Sequence, residues 1–264
     1  MPRAHSIYLT GNLSSQSLDV PWRILYNINS FKNSHPNFHH ELYSDENLRE
    51  FILHKFDNET LAAYDNLIPL AYKADLGRYC LLYEYGGLYS DISSYFYNGI
   101  NDNILNSRKI LIFRDGFSQA PWIVSNSLIF ALPKLALFES IIRKIIEHSQ
   151  KNYYGYNALC PTGPNLFGRT IAQLMEMHEF VTGDVLKINK NPKTHSYAYI
   201  LPNGEVCAVN IKTGAGLGSL GAHQNNYNMH YQNKAIYKSH LGDSINWKRV
   251  CVNTTGSIAI PNLY

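Results

Sequence analysis

Residues 74–94 read ADLGRYCLLYEYGGLYSDISS, and this stretch decides the fold. It opens as a helix. Asp75 and Arg78 stand three residues apart, so on a helix both project from one face. Gly86 and Gly87 end that helix, because glycine takes the backbone angles that stop a helix and turn the chain. Leu88, Tyr89 and Ser90 follow as a short buried strand. Asp91 leaves that strand at its carboxyl end, where open α/β sheets bind their ligands.

Working outward, the N-terminal part alternates strands and helices. Ser6–Thr10 (SIYLT) reads as a first strand closing on Gly11. Leu18 to Phe31 carries apolar residues at helical spacing, and Pro36 stops it. Phe38–Tyr43 is a second strand, after which Ser44 or Asp45 caps a new helix. Asn47 to Leu70 reads as two helical pieces, with Pro69 at the entrance to the central helix. His39 and His40 alternate on a strand, face opposite ways and read as surface or packing residues.

Beyond Asp91 the chain continues through Ser93–Asn98 and a polar loop to Ser107. Lys109–Arg114 and Trp122–Phe130 read as strands around an Asp115-Gly116 turn. Asn126 is polar among apolar neighbours, and a buried amide left unpaired costs roughly 1–3 kcal/mol. It serves either as a structural amide or as a contact to a bound ligand. A helix follows from Lys134 to about His148, then a Cys160–Asn165 turn and a helix to about Met177. Phe180–Val185 and Ser196–Val209 are β-like, the latter turning at Pro202-Asn203-Gly204. Gly216–Gly221 fits G-x-G-x-x-G, but too little chain follows for a dinucleotide fold, so it reads as a glycine-rich loop over the ligand.

The joint pattern of Asp75, Arg78, Gly86, Gly87, Tyr89 and Asp91 resembles the donor-binding core of glycosyltransferase family 32 and of the related large glucosylating bacterial toxins. In that family the stretch runs D-x-x-R, then helix, then G-G-x-Y-x-D-x-D. The departure is Ser93, which stands where the second Asp belongs. The resemblance implies an α/β GT-A fold, Rossmann-like, with a mixed central sheet and helical additions. It implies a retaining glycosyltransferase that moves a hexose or N-acetylhexosamine from a nucleotide sugar, UDP-linked, to a glycan or lipid-linked saccharide in surface polysaccharide synthesis. A toxin or effector that modifies a host protein, and a catalytically silent sugar-nucleotide binder, are the alternatives.

The same resemblance distributes the roles. Asp75, Arg78, Asp91 and Asn126 are the candidate catalytic residues, and Tyr8, Leu9, Thr10, Tyr89 and Trp247 the candidate donor contacts. A divalent ion, Mn²⁺ or Mg²⁺, is expected on Asp91, Ser93 and His240, because such ions take one or two carboxylates and complete their shell with phosphate oxygens and water. A serine hydroxyl weakens that site without abolishing it. Asp102 and Asp243 are the alternatives for the missing Asp, and His223 and His230 compete with His240. Taken alone, the Asp75–Arg78 pair also fits an exposed helix salt bridge of ~0.3–0.5 kcal/mol.

Composition sets the outer bounds. The chain has 264 residues, 45% hydrophobic and 16% charged, which suits a globular protein. Its net charge of +3 is too small to argue for nucleic acid. Twenty tyrosines suit aromatic packing or sugar-facing platforms. The four cysteines are scattered without a C-x-x-C pair, which fits a reducing compartment and no zinc cluster. Neither a signal-peptide core nor an 18-residue apolar run is visible, so a cytoplasmic protein with at most peripheral membrane contact is expected. One domain is expected over residues 1–264, with a nucleotide-sugar half at 1–130 and an acceptor half with a C-terminal cap at 131–264.

Overall fold

A computed structural model describes residues 1–11, 20–116, 122–188, 196–211 and 227–241. The glycine-rich loop at 216–221 and Asp243, Ser244, Trp247 and His223 lie outside the described residues.

The first half alternates as the sequence suggests. β1 (Arg3–Ile7) leads to α1 (Trp22–Ser34), β2 (His39–Tyr43), α2 (Asp45–Lys55), α3 (Asn58–Asn66), α4 (Leu70–Tyr85) and β3 (Gly87–Ser90). Ser44 caps α2 by accepting the Asn47 amide, and Asp57 caps α3 by accepting the Thr60 amide. α4 is buried almost all round, which is why its sequence shows no clean amphipathic stripe. It ends at Gly86, whose φ of 61° is open to glycine.

The chain then runs through β4 (Ser94–Phe96), α5 (Asp102–Asn106), β5 (Ile110–Asp115), β6 (Val124–Ala131), α6 (Ala136–Gln150) and α7 (Pro164–Gln173). β7 (Phe180–Lys187), β8 (Ser196–Ile200), β9 (Val206–Ile211) and α8 (Tyr227–Gln232) complete it, and a short 3₁₀ turn covers Lys238–Leu241. The polar stretch after Asp91 is thus not all loop. Ser94–Phe96 pairs with β9, and Asn101 caps α5.

The strands form one mixed sheet in the order β2-β1-β3-β6-β5-β7-β8-β9-β4. β1 runs parallel to β2 and β3, and β6 lies antiparallel between β3 and β5. β3 stands third and β4 ninth in that order, although only Asp91–Ser93 connects them. Six strand steps of ~4.8 Å would separate them by about 29 Å in a flat sheet. Four Cα steps reach about 14 Å at most. The sheet therefore curls, and the β7-β8-β9-β4 arm folds back to the carboxyl end of β3. α4 packs with α6 on one face, where Leu137, Phe138, Ile141, Ile142 and Ile145 join the main core.

Gly87, with φ of 89°, passes against the backbone carbonyl of Arg3 on β1, and an added Cβ would overlap that carbonyl. The strained φ alone costs a side chain ~1–3 kcal/mol, and backbone cannot yield as a side chain can. Gly87→Ala is expected to lower the thermal midpoint by more than the strain figure implies, and an unchanged midpoint in calorimetry would contradict this packing.

Candidate active site

The carboxyl ends of β1 and β3, the start of β6 and the second turn of α4 meet at one place. Asp91 extends β3 by donating its amide to the Ser127 carbonyl at 2.8 Å. Its Oδ1 accepts the Tyr89 hydroxyl at 2.9 Å and lies 3.1 Å from Arg78 Nη1. Both bonds fall on one oxygen, which leaves Oδ2 unengaged among the described residues, on a side chain 26% exposed.

Arg78 is the hub. Nη2 sits 3.1 Å from Asp75 Oδ1, and Nη1 also donates to the Asn126 carbonyl at 2.6 Å. The guanidinium lies 4.7 Å from the Tyr89 ring centre. Asp75 takes the Asn126 amide on Oδ1 at 2.9 Å and the Thr162 hydroxyl on Oδ2 at 2.8 Å. The same amide nitrogen reaches the Tyr79 hydroxyl at 2.9 Å. The Asp75 and Arg78 side chains are only 11% and 6% exposed, so this is no surface salt bridge.

Burial pushes the Asp75 carboxyl up, against the pull of Arg78, Thr162 and Asn126. Burial also works against the Arg78 charge, but Asp91, Tyr89 and Asp75 outweigh it and hold the guanidinium protonated. Two carboxylates therefore share one cation. Of the two acids, Asp91 is the one that is partly exposed.

The curled arm braces this end of the sheet. The Tyr199 hydroxyl on β8 lies 2.5 Å from Ser127 Oγ, which lies 2.8 Å from Ser125 Oγ. Tyr79, Ser127 and Tyr199 carry no linear motif, and the Cys160–Asn165 turn contained Thr162 without giving its partner.

The remaining candidates are placed unequally. Tyr89 is buried and holds Asp91. The Tyr8 and Leu9 side chains are buried in the core, whereas Thr10 reaches the surface. The amides of Thr10 and Gly11 are clamped by the Asp45 carboxylate at 2.7 and 3.1 Å. A cavity of about 420 Å³ opens beside Gly11 and Asp45 and reaches Leu70 and Lys73 on the first turn of α4. Burial pushes the Lys73 ammonium down to about 8. Ser93 is buried next to Asp91 along the chain. The backbone of His240 lies in the final 3₁₀ turn, and Trp247 falls outside the described residues. Among the described residues no group of three or more His, Cys, Asp or Glu side chains is placed to hold an ion. Asp102 caps no site and starts the short α5.

Comparisons with known proteins find similarity over the same part of the chain. A family model described as the glycosyltransferase sugar-binding region containing the DXD motif matches residues 21–110, which include Asp75, Arg78, Asp91 and Ser93. Inositol phosphoceramide mannosyltransferase 3 of Schizosaccharomyces pombe is 40% identical over 58 residues, 22% of this chain and 16% of that protein. The match thus spans about a sixth of its relative's length. Among solved structures, the PaToxG glycosyltransferase superposes with a TM-score of 0.50 at 16% identity, covering 66% of this chain and 69% of that one. The ligand-free glycosyltransferase domain of the YGT toxin gives a TM-score of 0.45 at 8% identity, over 68% of this chain and 79% of its own. Over residues 21–110 the chain is similar to the sugar-binding region of DXD-motif glycosyltransferases, and its α/β fold is similar to that of a toxin glycosyltransferase domain.

Proposed function

We propose that this protein is a retaining glycosyltransferase that moves a hexose or N-acetylhexosamine from a nucleotide sugar, UDP-linked, to a saccharide acceptor. The observation that carries the reading is Asp91, fixed through one carboxylate oxygen at the carboxyl end of β3, with its other oxygen unengaged among the described residues. A surface polysaccharide is the acceptor class we favour. The likeness to a toxin domain is one of fold and does not choose between a glycan and a protein acceptor.

Asp91 and the neighbouring Ser93 would hold a divalent ion, and the Asp91 Oδ2 left unengaged among the described residues supports such a site. When bound, the ion would neutralise charge growing on the leaving diphosphate. Phosphate oxygens and water would complete its shell. The cavity beside Gly11, past the carboxyl end of β1, is where the nucleoside end would sit. Asp75, with both oxygens engaged inside the protein, is a positioning residue and not a nucleophile. Retention then calls on the leaving phosphate as base, and Arg78 and Asn126 orient the reacting end.

The test is UDP release from a panel of UDP-sugars with and without Mn²⁺. Release from one donor, raised by Mn²⁺ and raised further by Ser93→Asp at low metal, is the expected result. Tight UDP-sugar binding with no release, whatever the acceptor, would favour the silent binder. Absence of both binding and release would overturn the transferase reading.

A further inference from the structure

Four large apolar side chains that stay exposed share one ridge. Trp22, Leu25 and Tyr26 on α1 are 68%, 44% and 56% exposed, and Tyr97, just past β4, is 62% exposed. On α1 these residues follow the spacing of a single stripe. Tyr26 stacks on Tyr95 with ring centres 5.1 Å apart, and Tyr95 meets Tyr97 edge-on at 5.0 Å. The ridge is thus one ordered aromatic surface built from two elements. Arg23 and Lys32 flank the stripe on either side by helical spacing, both exposed, and α1 contains no acidic residue.

Trp and Tyr rings prefer a boundary with one wet and one apolar side. Flanking Arg and Lys side chains extend to headgroups while their stems cover apolar surface. The first turns of α1 carry aromatic and aliphatic side chains on one face, which Asn29 and Asn33 continue, and the charged residues at its margins are cations; that pattern matches an interfacial helix. The aliphatic Leu25 and the two cations, which form no ion pair among the described residues, fit an anionic lipid surface better than a neutral sugar.

We propose that the α1–β4 ridge docks the protein on an anionic membrane surface. Trp22, Tyr26 and Tyr97 sit at headgroup level, and Arg23 and Lys32 meet the lipid charges. The inner face of α1 is fastened to the loop that carries the candidate site. Asn27 Nδ2 donates to the Ile92 carbonyl at 2.9 Å, and the Phe96 amide donates to Ser30 Oγ at 2.9 Å. Docking therefore brings the Asp91–Ser93 loop toward the membrane. Docking stands independently of the transferase reading; that the acceptor is lipid-linked rests on that reading.

The test is co-sedimentation of the full chain with mixed phosphatidylcholine–phosphatidylserine vesicles and with pure phosphatidylcholine vesicles. Wild type is expected to bind the mixed vesicles about tenfold more tightly or better, since each basic residue near an anionic surface adds appreciably. Trp22→Ala/Tyr26→Ala/Tyr97→Ala is expected to weaken that binding by about tenfold or more, with UDP release in solution unchanged and the thermal midpoint lowered by a few degrees at most for the lost ring contacts. Arg23→Gln/Lys32→Gln is expected to abolish the preference for the anionic vesicles. A wild type that ignores both vesicles, a charge variant that keeps the full preference, or a folded triple variant that binds like wild type would overturn the proposal. Loss of vesicle binding with UDP release intact leaves the transferase reading standing, and the reverse result separates them the other way.

Discussion

Asp91→Asn is expected to lower Mn²⁺-supported UDP release by about 10²–10³-fold, the range seen when one group that stabilises transition-state charge is removed. The substitution keeps the shape of the side chain and an oxygen for Tyr89 and Arg78. It removes the charge that would hold a cation against the diphosphate. The thermal midpoint should therefore move little, because Arg78 keeps Asp75 as partner. The expected signature is a loss of turnover and of metal stimulation without a loss of fold. UDP release within a few-fold of wild type, with metal stimulation intact, would remove Asp91 from the reaction.

Arg78→Met carries the second large effect, and it acts on stability. Arg78 is the cation shared by Asp75 and Asp91, and its side chain is 6% exposed. Removing one partner of a buried ion pair costs about 3–5 kcal/mol, because the other charge stays buried without compensation. At ~2–4 °C per kcal/mol for a chain of this size, the midpoint should fall by about 10 °C. An exposed helix pair would lose less than about 1 kcal/mol. The double variant Asp75→Asn/Arg78→Met should recover part of the loss, because the stranded carboxylate is gone. The coupling energy of that cycle measures the pair directly. A single variant as stable as wild type would mean that the cluster is not buried as described.

Much of the fold was legible because its signals are local. Pro69 and the Gly86-Gly87 pair delimit α4 whatever surrounds them, and Ser44 caps its helix by accepting the amide three residues on. Alternating apolar runs gave β5, β6 and β7 within a residue or two. β4 and α5 were not legible. Ser94–Phe96 is a strand because β9, more than a hundred residues later, supplies its ladder partners. No periodicity in three residues can announce that.

At the candidate site, sequence alone determined which residues stand at the end of the central helix and strand. The spacing of Asp75, Arg78, the two glycines and Asp91 is a property of consecutive residues, and it led to the same family as the comparisons. Tertiary structure alone decided what those residues do to one another. Whether Asp75 and Arg78 form an exposed pair or a buried cluster depends on Asn126, Tyr79 and Thr162, which come from another strand, the helix itself and a distant turn. The bracing of Ser127 by Tyr199 depends on a sheet that must curl because three residues join its third strand to its ninth. Burial and long-range pairing set charge, protonation and rigidity, and neither is written in the order of neighbouring residues.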